Sequence, residues 1–520
     1  MPRSPRTCQC RSRRRRDEAR ILNLQRSNDD VVAPPISLGA ILITVPDRRS
    51  NWGTALRFAG QRVALAFGIF LAFYYLYRTE LGYPARLLGL AFAVPVIVGL
   101  LKAGSAKGTR FLLLLGPLPL FASGVGLDLR IPLIFMLLSM LAAEGLPAPV
   151  AHLRILAPLA MAVLFATASA GLSQSTLIAA AEQAALFGWV VLVSVSVRQR
   201  GLEAVVSDIA VGGVFIGLIG LAEYLFKFDL PGALNSATTV IDVSRAVTSA
   251  RFGGPLGDYE LFGTYLSLVG VCQFYFMTRT QSLSGASRLL WPVAFALTAL
   301  LELETGTRAS SATLVLGVLG LMVLRVSTGG AWFGAARRAV YAGLVLSPVL
   351  LTVGSSSQLF FRFTQLSNTT SVQGALDRSQ VWALFSARAG EGWLRWVGQG
   401  PAYPYQSFGF FPHSLWLYTG YTTGVLGVMA LGAVLIVATT RVVFALRRAD
   451  HDRPMLGLCL ILLVIQLSDT VIIEAVRYTA TAVLFWTVMA FALSAGQRPV
   501  NGEVPGPDHG RHLGPAGGLR

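Results

Sequence analysis

Charge is scarce in this chain. Only 13% of its 520 residues are Asp, Glu, Lys or Arg, 54% are apolar, and the mean hydropathy is +0.60. That balance excludes an ordinary water-soluble domain, in which about a quarter of the residues carry charge. Cysteine is scarcer still. Cys8 and Cys10 lie in a basic N-terminal stretch and Cys272 and Cys459 in apolar segments, a distribution that offers no disulfide framework. Acidic residues number 26 against 43 Lys and Arg, for a net charge of +17. The excess does not mark a nucleic-acid binder, because the basic residues fall in the N-terminal tail and in alternate connections between apolar runs, as cytoplasmic loops require. The first apolar patch, Ile36 to Val45, is too short to span. Pro46-Asp47-Arg48-Arg49 follows it where a signal peptide would carry a small-residue cleavage site. Residues 1–53 therefore read as a disordered cytoplasmic tail drawn to anionic lipid.

What is abundant is apolar sequence in runs near the roughly 20 residues that cross a bilayer. The expected fold is all-α, a polytopic integral membrane protein with about fourteen transmembrane helices, twelve being the lower count. The N-terminal set (54–226) holds spans at Arg62–Tyr77, Leu87–Leu101, Phe111–Gly126, Ile131–Ala143, Ile155–Gly171, Leu177–Val197 and Ala204–Phe226. A central set (227–353) follows at Tyr259–Met277, Leu289–Leu303, Ser310–Leu324 and Val340–Val353. After a long extracytoplasmic loop (354–412), the C-terminal set (413–495) holds Ser414–Thr440, Met455–Ile473 and Thr479–Leu493, and 496–520 is a disordered tail. Lys102, Lys107 and Arg110; Arg198 and Arg200; Arg279 and Arg288; Arg325, Arg337 and Arg338; and Arg441, Arg447, Arg448 and Arg453 then fall on inner connections. Both termini are cytoplasmic and the loops at 227–258 and 354–412 face outward. The Gly213 to Gly217 spacing predicts close helix packing.

Histidine is sparse as well. His152 and His451 fall in inner connections and His509 and His512 in the tail, so His413 alone is left on the outer face, where a neutral imidazole can serve as general base. Arginines on that face are costly at a membrane boundary and are functional suspects. They are Arg251 in Arg251-Phe252-Gly253-Gly254, Arg308 in Thr305-Gly306-Thr307-Arg308, and Arg378 in Asp377-Arg378-Ser379-Gln380-Val381-Trp382, with an ion pair to Glu302 or Glu304 as the alternative role for Arg308. Separated guanidiniums suit a diphosphate, since each binds phosphate oxygens in bidentate fashion. No Asp/Glu/His cluster stands on the outer face at metal-ligand spacing.

In order along the chain, three pieces resemble the bacterial O-antigen ligase and O-antigen polymerase superfamily. They are Arg251-Phe252-Gly253-Gly254 leading into Phe262-Gly263-Thr264-Tyr265-Leu266; Thr305-Gly306-Thr307-Arg308 opening a Ser/Ala/Leu/Gly helix; and the long loop from Arg378 to Pro412-His413-Ser414-Leu415 and Thr423-Gly424-Val425-Leu426-Gly427. The resemblance implies transfer of a glycan from an undecaprenyl-diphosphate carrier to an acceptor sugar hydroxyl, glycan-borne or lipid-linked, outside the bacterial cytoplasmic membrane. It implies no metal, cofactor or nucleic acid. Carried over, Arg251, Arg308 and Arg378 would hold the donor diphosphate, His413 would act on the acceptor hydroxyl, and Ser414, Trp382 and Arg362 would be accessory. The competing reading is a lipid-linked oligosaccharide flippase or secondary transporter, which also needs twelve to fourteen helices but favours internal repeats; none is evident.

Overall fold

The computed structural model describes residues 95, 97–116, 130–144, 150–226, 237–242, 247–256, 259–279, 287–327, 380, 382–383, 392–401, 414–448, 453–472 and 479–497. In chain order the elements are α1 (Ser105–Leu115), α2 (Arg130–Ala143), α3 (Val150–Ala170), α4 (Gln174–Arg200), α5 (Leu202–Phe226), β1 (Ala237–Asp242) and β2 (Val247–Phe252). A 3-10 turn (Gly254–Leu256) leads to α6 (Tyr259–Arg279), α7 (Ser287–Thr305), α8 (Arg308–Ser327), the single turn α9 (Leu394–Val397), α10 (Leu415–Arg448), α11 (Arg453–Ile472) and α12 (Thr479–Ser494). Among the described residues, five helices are long and apolar enough to cross a bilayer: Ala151–Ala170 and the whole of α4, α5, α6 and α10. The chain is a helical membrane protein, and these five coincide with expected spans. The short helices α2, α8, α11 and α12 also fall on expected segments, whereas the segments at 62–77 and 340–353 and most of the 354–412 loop lie outside the described residues.

The helix α6 is the hub. Its apolar window is fully buried, as a helix apolar all round must be, and it packs against α5, α7, α8 and α11. Small residues let the neighbours close in. A Cβ on Gly213 or Gly217 of α5 would run into Val269 of α6 or Leu297 of α7, and one on Gly212 would stand 2.5 Å from the Leu114 carbonyl oxygen. The Gly213 to Gly217 spacing thus serves packing within the chain. Inside this core, Thr298 donates to Gln273 Oε1 at 2.8 Å and Gln273 donates to the Ala210 carbonyl at 3.3 Å. A second contact holds α4 to α12, where Trp189 Nε1 donates to Thr487 at 2.8 Å. With Phe187 against Trp486 one step earlier, that contact sets α4 and α12 parallel.

The basic residues gather at one end. Asp208, near the start of α5, pairs with Arg110 at 3.0 Å and Arg200 at 2.6 Å. Arg279 pairs with Glu203 at 2.5 Å, and Arg441 donates to the Leu493 carbonyl at 2.8 Å. Two expectations need correcting here. Lys102, Lys107 and Arg110 sit on helix rather than in a loop: residues 97–103 and α1 are separated by Gly104 alone, whose φ is 88°. The kink is sealed by Glu144 at the end of α2, which accepts from the Ser105 N–H at 2.7 Å and its hydroxyl at 2.5 Å, so a carboxylate caps a helix N-terminus from a neighbouring helix. His152, expected in a connection, is in the first turn of α3, fully buried, with Nε2 2.9 Å from the Leu493 carbonyl oxygen. Its polar ring is drawn inward because the last carbonyls of α12 need donors.

Because Gly212 meets backbone rather than a movable side chain, Gly212→Leu should push α1 from α5 and destabilise by about 2 to 4 kcal/mol or more. Thermal unfolding of purified protein in nanodiscs should show a clear drop, and Gly432→Leu, at a position with nothing within 4 Å, should leave it nearly unchanged.

Candidate functional site

At the end away from the basic cluster, chain segments are irregular. After α5 the chain forms the hairpin β1–β2, antiparallel and in register from Ala237 opposite Phe252 to Asp242 opposite Val247. This places Arg251 on β2 opposite Thr238. Phe252 then anchors the strand between Tyr224 of α5 and Phe262 of α6, with ring centroids 5.5 and 5.8 Å apart. Gly254, at φ 51°, turns against the Phe262 ring too closely for any Cβ.

The second arginine segment folds against the first. Helix α7 ends at Thr305, Gly306 reverses the chain with φ 64°, and Arg308 opens α8. Hydroxyls build the turn: Thr305 donates to the Glu302 carbonyl at 2.8 Å and meets Thr307 Oγ1 at 2.5 Å. Thr307 in turn donates to the Tyr259 carbonyl of α6 at 3.3 Å. Gly263 admits this turn, since a Cβ there would lie 2.5 Å from both Thr307 Oγ1 and Ser310 Oγ. Beneath it sit buried carboxylates, Glu302 and Glu304 on α7 and Glu223 on α5. Ser311 donates to Glu302 Oε1 at 3.3 Å. The same end carries Ser414, buried, whose carbonyl accepts from Tyr418 N–H at 2.9 Å at the start of α10.

Helix α10 is discontinuous. Gly424 leaves the helical region with φ 67° and ψ −168°, which frees carbonyls in the preceding turn. The segment after α9 supplies the missing donors: Gln399 N–H donates to the Tyr421 carbonyl at 2.9 Å and Gly400 N–H to the Thr422 carbonyl at 3.0 Å. Gly398 and Gly424 let the two backbones touch, because a Cβ on either would overlap main-chain atoms of the other segment. Ser169, one residue before the end of α3, lies against the Gly398 carbonyl at 3.4 Å. Trp393 and Trp396 of this segment are largely exposed. In the stretch from Arg378 to Trp396 the described residues form helix at 380 and 382–383 and, from 392, the turn α9 with its lead-in; the rest lies outside the described residues.

The residues singled out in the sequence divide as follows. Arg251, Arg308 and Ser414 share one end of the bundle, the first two on adjoining segments. Trp382 is half-buried in a helical stretch at 382–383. His413, Arg378 and Arg362 lie outside the described residues. Sequence reading passed over Arg130, which opens α2 and is 2% exposed, and the buried Glu223. A lone arginine or glutamate at the edge of an apolar run is a usable signal, since burying charge in a membrane protein is costly without a role. Among the described residues, no group of three or more His, Cys, Asp or Glu is placed to hold a metal ion. No protein-family model matches the chain, and no curated protein matches it.

A residue other than glycine at φ 67° is strained, and at Gly424 it would also strike the Trp396 and Gly398 backbones. Gly424→Ala should therefore lower stability by about 2 to 4 kcal/mol and expose the 392–401 segment to protease in nanodiscs, whereas Gly420→Ala, which meets only ordinary contact, should do neither.

Proposed function

We propose that the chain is a membrane glycan transferase of the O-antigen ligase and polymerase type, acting in cell-surface polysaccharide assembly. In this reading it has about fourteen spans and both termini in the cytoplasm of a bacterial cell, with its site on the outer face of the cytoplasmic membrane. It moves a glycan from an undecaprenyl-diphosphate carrier to a sugar hydroxyl without a metal. The observation that supports it is segregation. The clustered basic residues Arg110, Arg200 and Arg279 pair at one end, and the Arg251 strand, the Arg308 turn and Ser414 stand at the other.

The reaction asks little beyond what such a face holds. The acceptor hydroxyl loses its proton to His413 as its oxygen bonds to the anomeric carbon. The bond from that carbon to the diphosphate oxygen breaks, and its electron pair leaves with the lipid diphosphate. Charge develops on the leaving group, where guanidiniums of Arg251, Arg308 and Arg378 stabilise it in a site of low dielectric. A positioned base contributes about 10² to 10⁴ in rate. Attack opposite the leaving group inverts the anomeric centre. Trp382, Ser414 and Arg362 serve as accessory residues. The buried carboxylates Glu302 and Glu304, just before the Arg308 turn, supply countercharge that keeps a cationic segment stable there when no donor is bound.

Transport of a lipid-linked oligosaccharide is the second reading, favoured by one feature: a helix broken at membrane depth, as α10 is at Gly424, is how many transporters build a substrate site.

Glycan analysis of a deletion strain tests both. Restoring the wild-type gene should restore polymer, and His413→Ala should reduce product by about 100-fold or more while purified protein still binds lipid diphosphate. Arg308→Lys should weaken that binding, because the bidentate fork is lost. Accumulated single repeats on lipid diphosphate indicate polymerase activity, and full-length lipid-linked polymer indicates ligase activity. Repeats trapped on the cytoplasmic leaflet indicate transport, and normal product from His413→Ala overturns the assigned base.

A further inference from the structure

The segment 392–401 is fixed to the bundle through its backbone. The Gln399 and Gly400 N–H groups donate to the Tyr421 and Thr422 carbonyls of α10 at 2.9 and 3.0 Å, and the Tyr418 hydroxyl donates to the Pro401 carbonyl at 3.2 Å. A Cβ on Gly400 would strike Ala170 at the end of α3. Within the turn, Trp396 N–H donates to the Trp393 carbonyl at 2.9 Å and Gly398 N–H to the Leu394 carbonyl at 2.7 Å. These main-chain groups are hydrogen-bonded inside the protein, as a segment bordering lipid requires. The side chains are left for something else. Trp393 is 60% and Trp396 56% exposed, and Arg395 between them is exposed as well.

Helix lengths give the depth of this turn. His152 at the start of α3 and Arg441 on α10 meet at one carbonyl, that of Leu493, and so mark a common level at the basic end. Twenty residues of α10 separate Arg441 from Tyr421, and seventeen of α3 separate His152 from Ser169, which lies against Gly398. Both separations come to about 25 to 30 Å, the thickness of the hydrocarbon core of a bilayer. With the basic end at one headgroup layer, the turn stands at the other. One to two helical turns inside that level, Leu164 and Phe165 of α3 and Leu426 and Met429 of α10 are exposed, so the surface that continues from Trp393 and Trp396 faces lipid. Tryptophan settles at such a boundary because its ring is apolar and its N–H polar, and a guanidinium beside it complements lipid phosphate.

We propose that Trp393 and Trp396 anchor this turn in the boundary between headgroups and acyl chains, with Arg395 on lipid phosphate, and so hold the 398–401 segment seated on the break in α10. The anchor rests on the membrane reading alone and stands whether or not the chain transfers glycans.

Depth-dependent quenching tests it. The full chain in nanodiscs of phosphatidylcholine and phosphatidylglycerol is compared with Trp393→Phe/Trp396→Phe, which keeps aromatic rings, so the fluorescence lost in the variant reports these two indoles. A nitroxide near the ester end of a phospholipid acyl chain should quench that difference about twofold or more beyond a nitroxide at the terminal methyl end, and aqueous acrylamide should quench it weakly. Trp393→Ala/Trp396→Ala should speed proteolytic cleavage within 392–401 about tenfold. Arg395→Glu should speed it more in nanodiscs containing phosphatidylglycerol than in phosphatidylcholine alone, because like charges then face each other. Quenching by acrylamide but not by nitroxide lipid, strongest quenching from the chain terminus, or unchanged cleavage of both variants would overturn the anchor. Protection of the two indoles from acrylamide by added glycan would likewise overturn it, in favour of a sugar-stacking platform.

Discussion

In a bilayer core no water waits to take up a freed backbone N–H or carbonyl, and the arrangement of this protein follows from where the chain meets that demand by means other than helix. At Gly104 the helix N-terminus is capped by Glu144 from the next helix. At the end of α12 the Leu493 carbonyl is met by Arg441 and His152. At Gly424 the freed carbonyls of Tyr421 and Thr422 are met by Gln399 and Gly400. Each repair draws a donor or acceptor from a distant part of the sequence. Local irregularity is thereby converted into tertiary contact.

Charge obeys a related constraint. Asp208 is nearly inaccessible and would be expensive alone, but two arginines from different helices close on it, and removing either partner of such a group costs more than the group ever contributed. The pairing ties α1, the end of α4 and the start of α5 together. At the opposite end the buried charge is again acidic: Glu223, Glu302 and Glu304 accompany the segments that carry Arg251 and Arg308.

Much of the helical framework was legible because length and apolarity decide it. The spans at 155–171, 177–197, 204–226 and 259–277 are runs that fit no other environment, and the glycine spacing on α5 has one common use in membranes. The failures share a cause. Lys102 to Arg110 reads as a loop because it is polar, yet helix continues through it, because Gly104 bends the chain and Glu144 caps it from a part of the sequence that periodicity does not connect. His152 reads as solvated because one polar residue near a boundary carries no sign of the carbonyl it will meet. The hairpin at 237–252 has no apolar run to announce it. The break in α10 is invisible to hydropathy, since no charged residue stands between 415 and 440, and only the glycines at 398, 400 and 424 hint that two backbones touch. Of the candidate site, the sequence singled out the Arg251 and Arg308 segments and set Glu302 and Glu304 beside the second, but not the buried Glu223 or the hydroxyl contacts that join the Thr305–Thr307 turn to α6.

Two irregular stretches of described backbone, the Thr305–Thr307 turn and the Gly424 break, are on the side away from the basic cluster. A membrane protein gains no stability from interrupting a helix: a continuous helix would satisfy the same carbonyls with no partner segment, no positive φ and no glycine. Non-helical backbone persists at membrane depth where protein buries it or where it borders a cavity. Here the turn is buried against Tyr259 and Gly263, and residues just before the break line a pocket beside Trp486. The interruption at Gly424 therefore does what a straight helix cannot. It docks the 398–401 segment on the carbonyls of Tyr421 and Thr422.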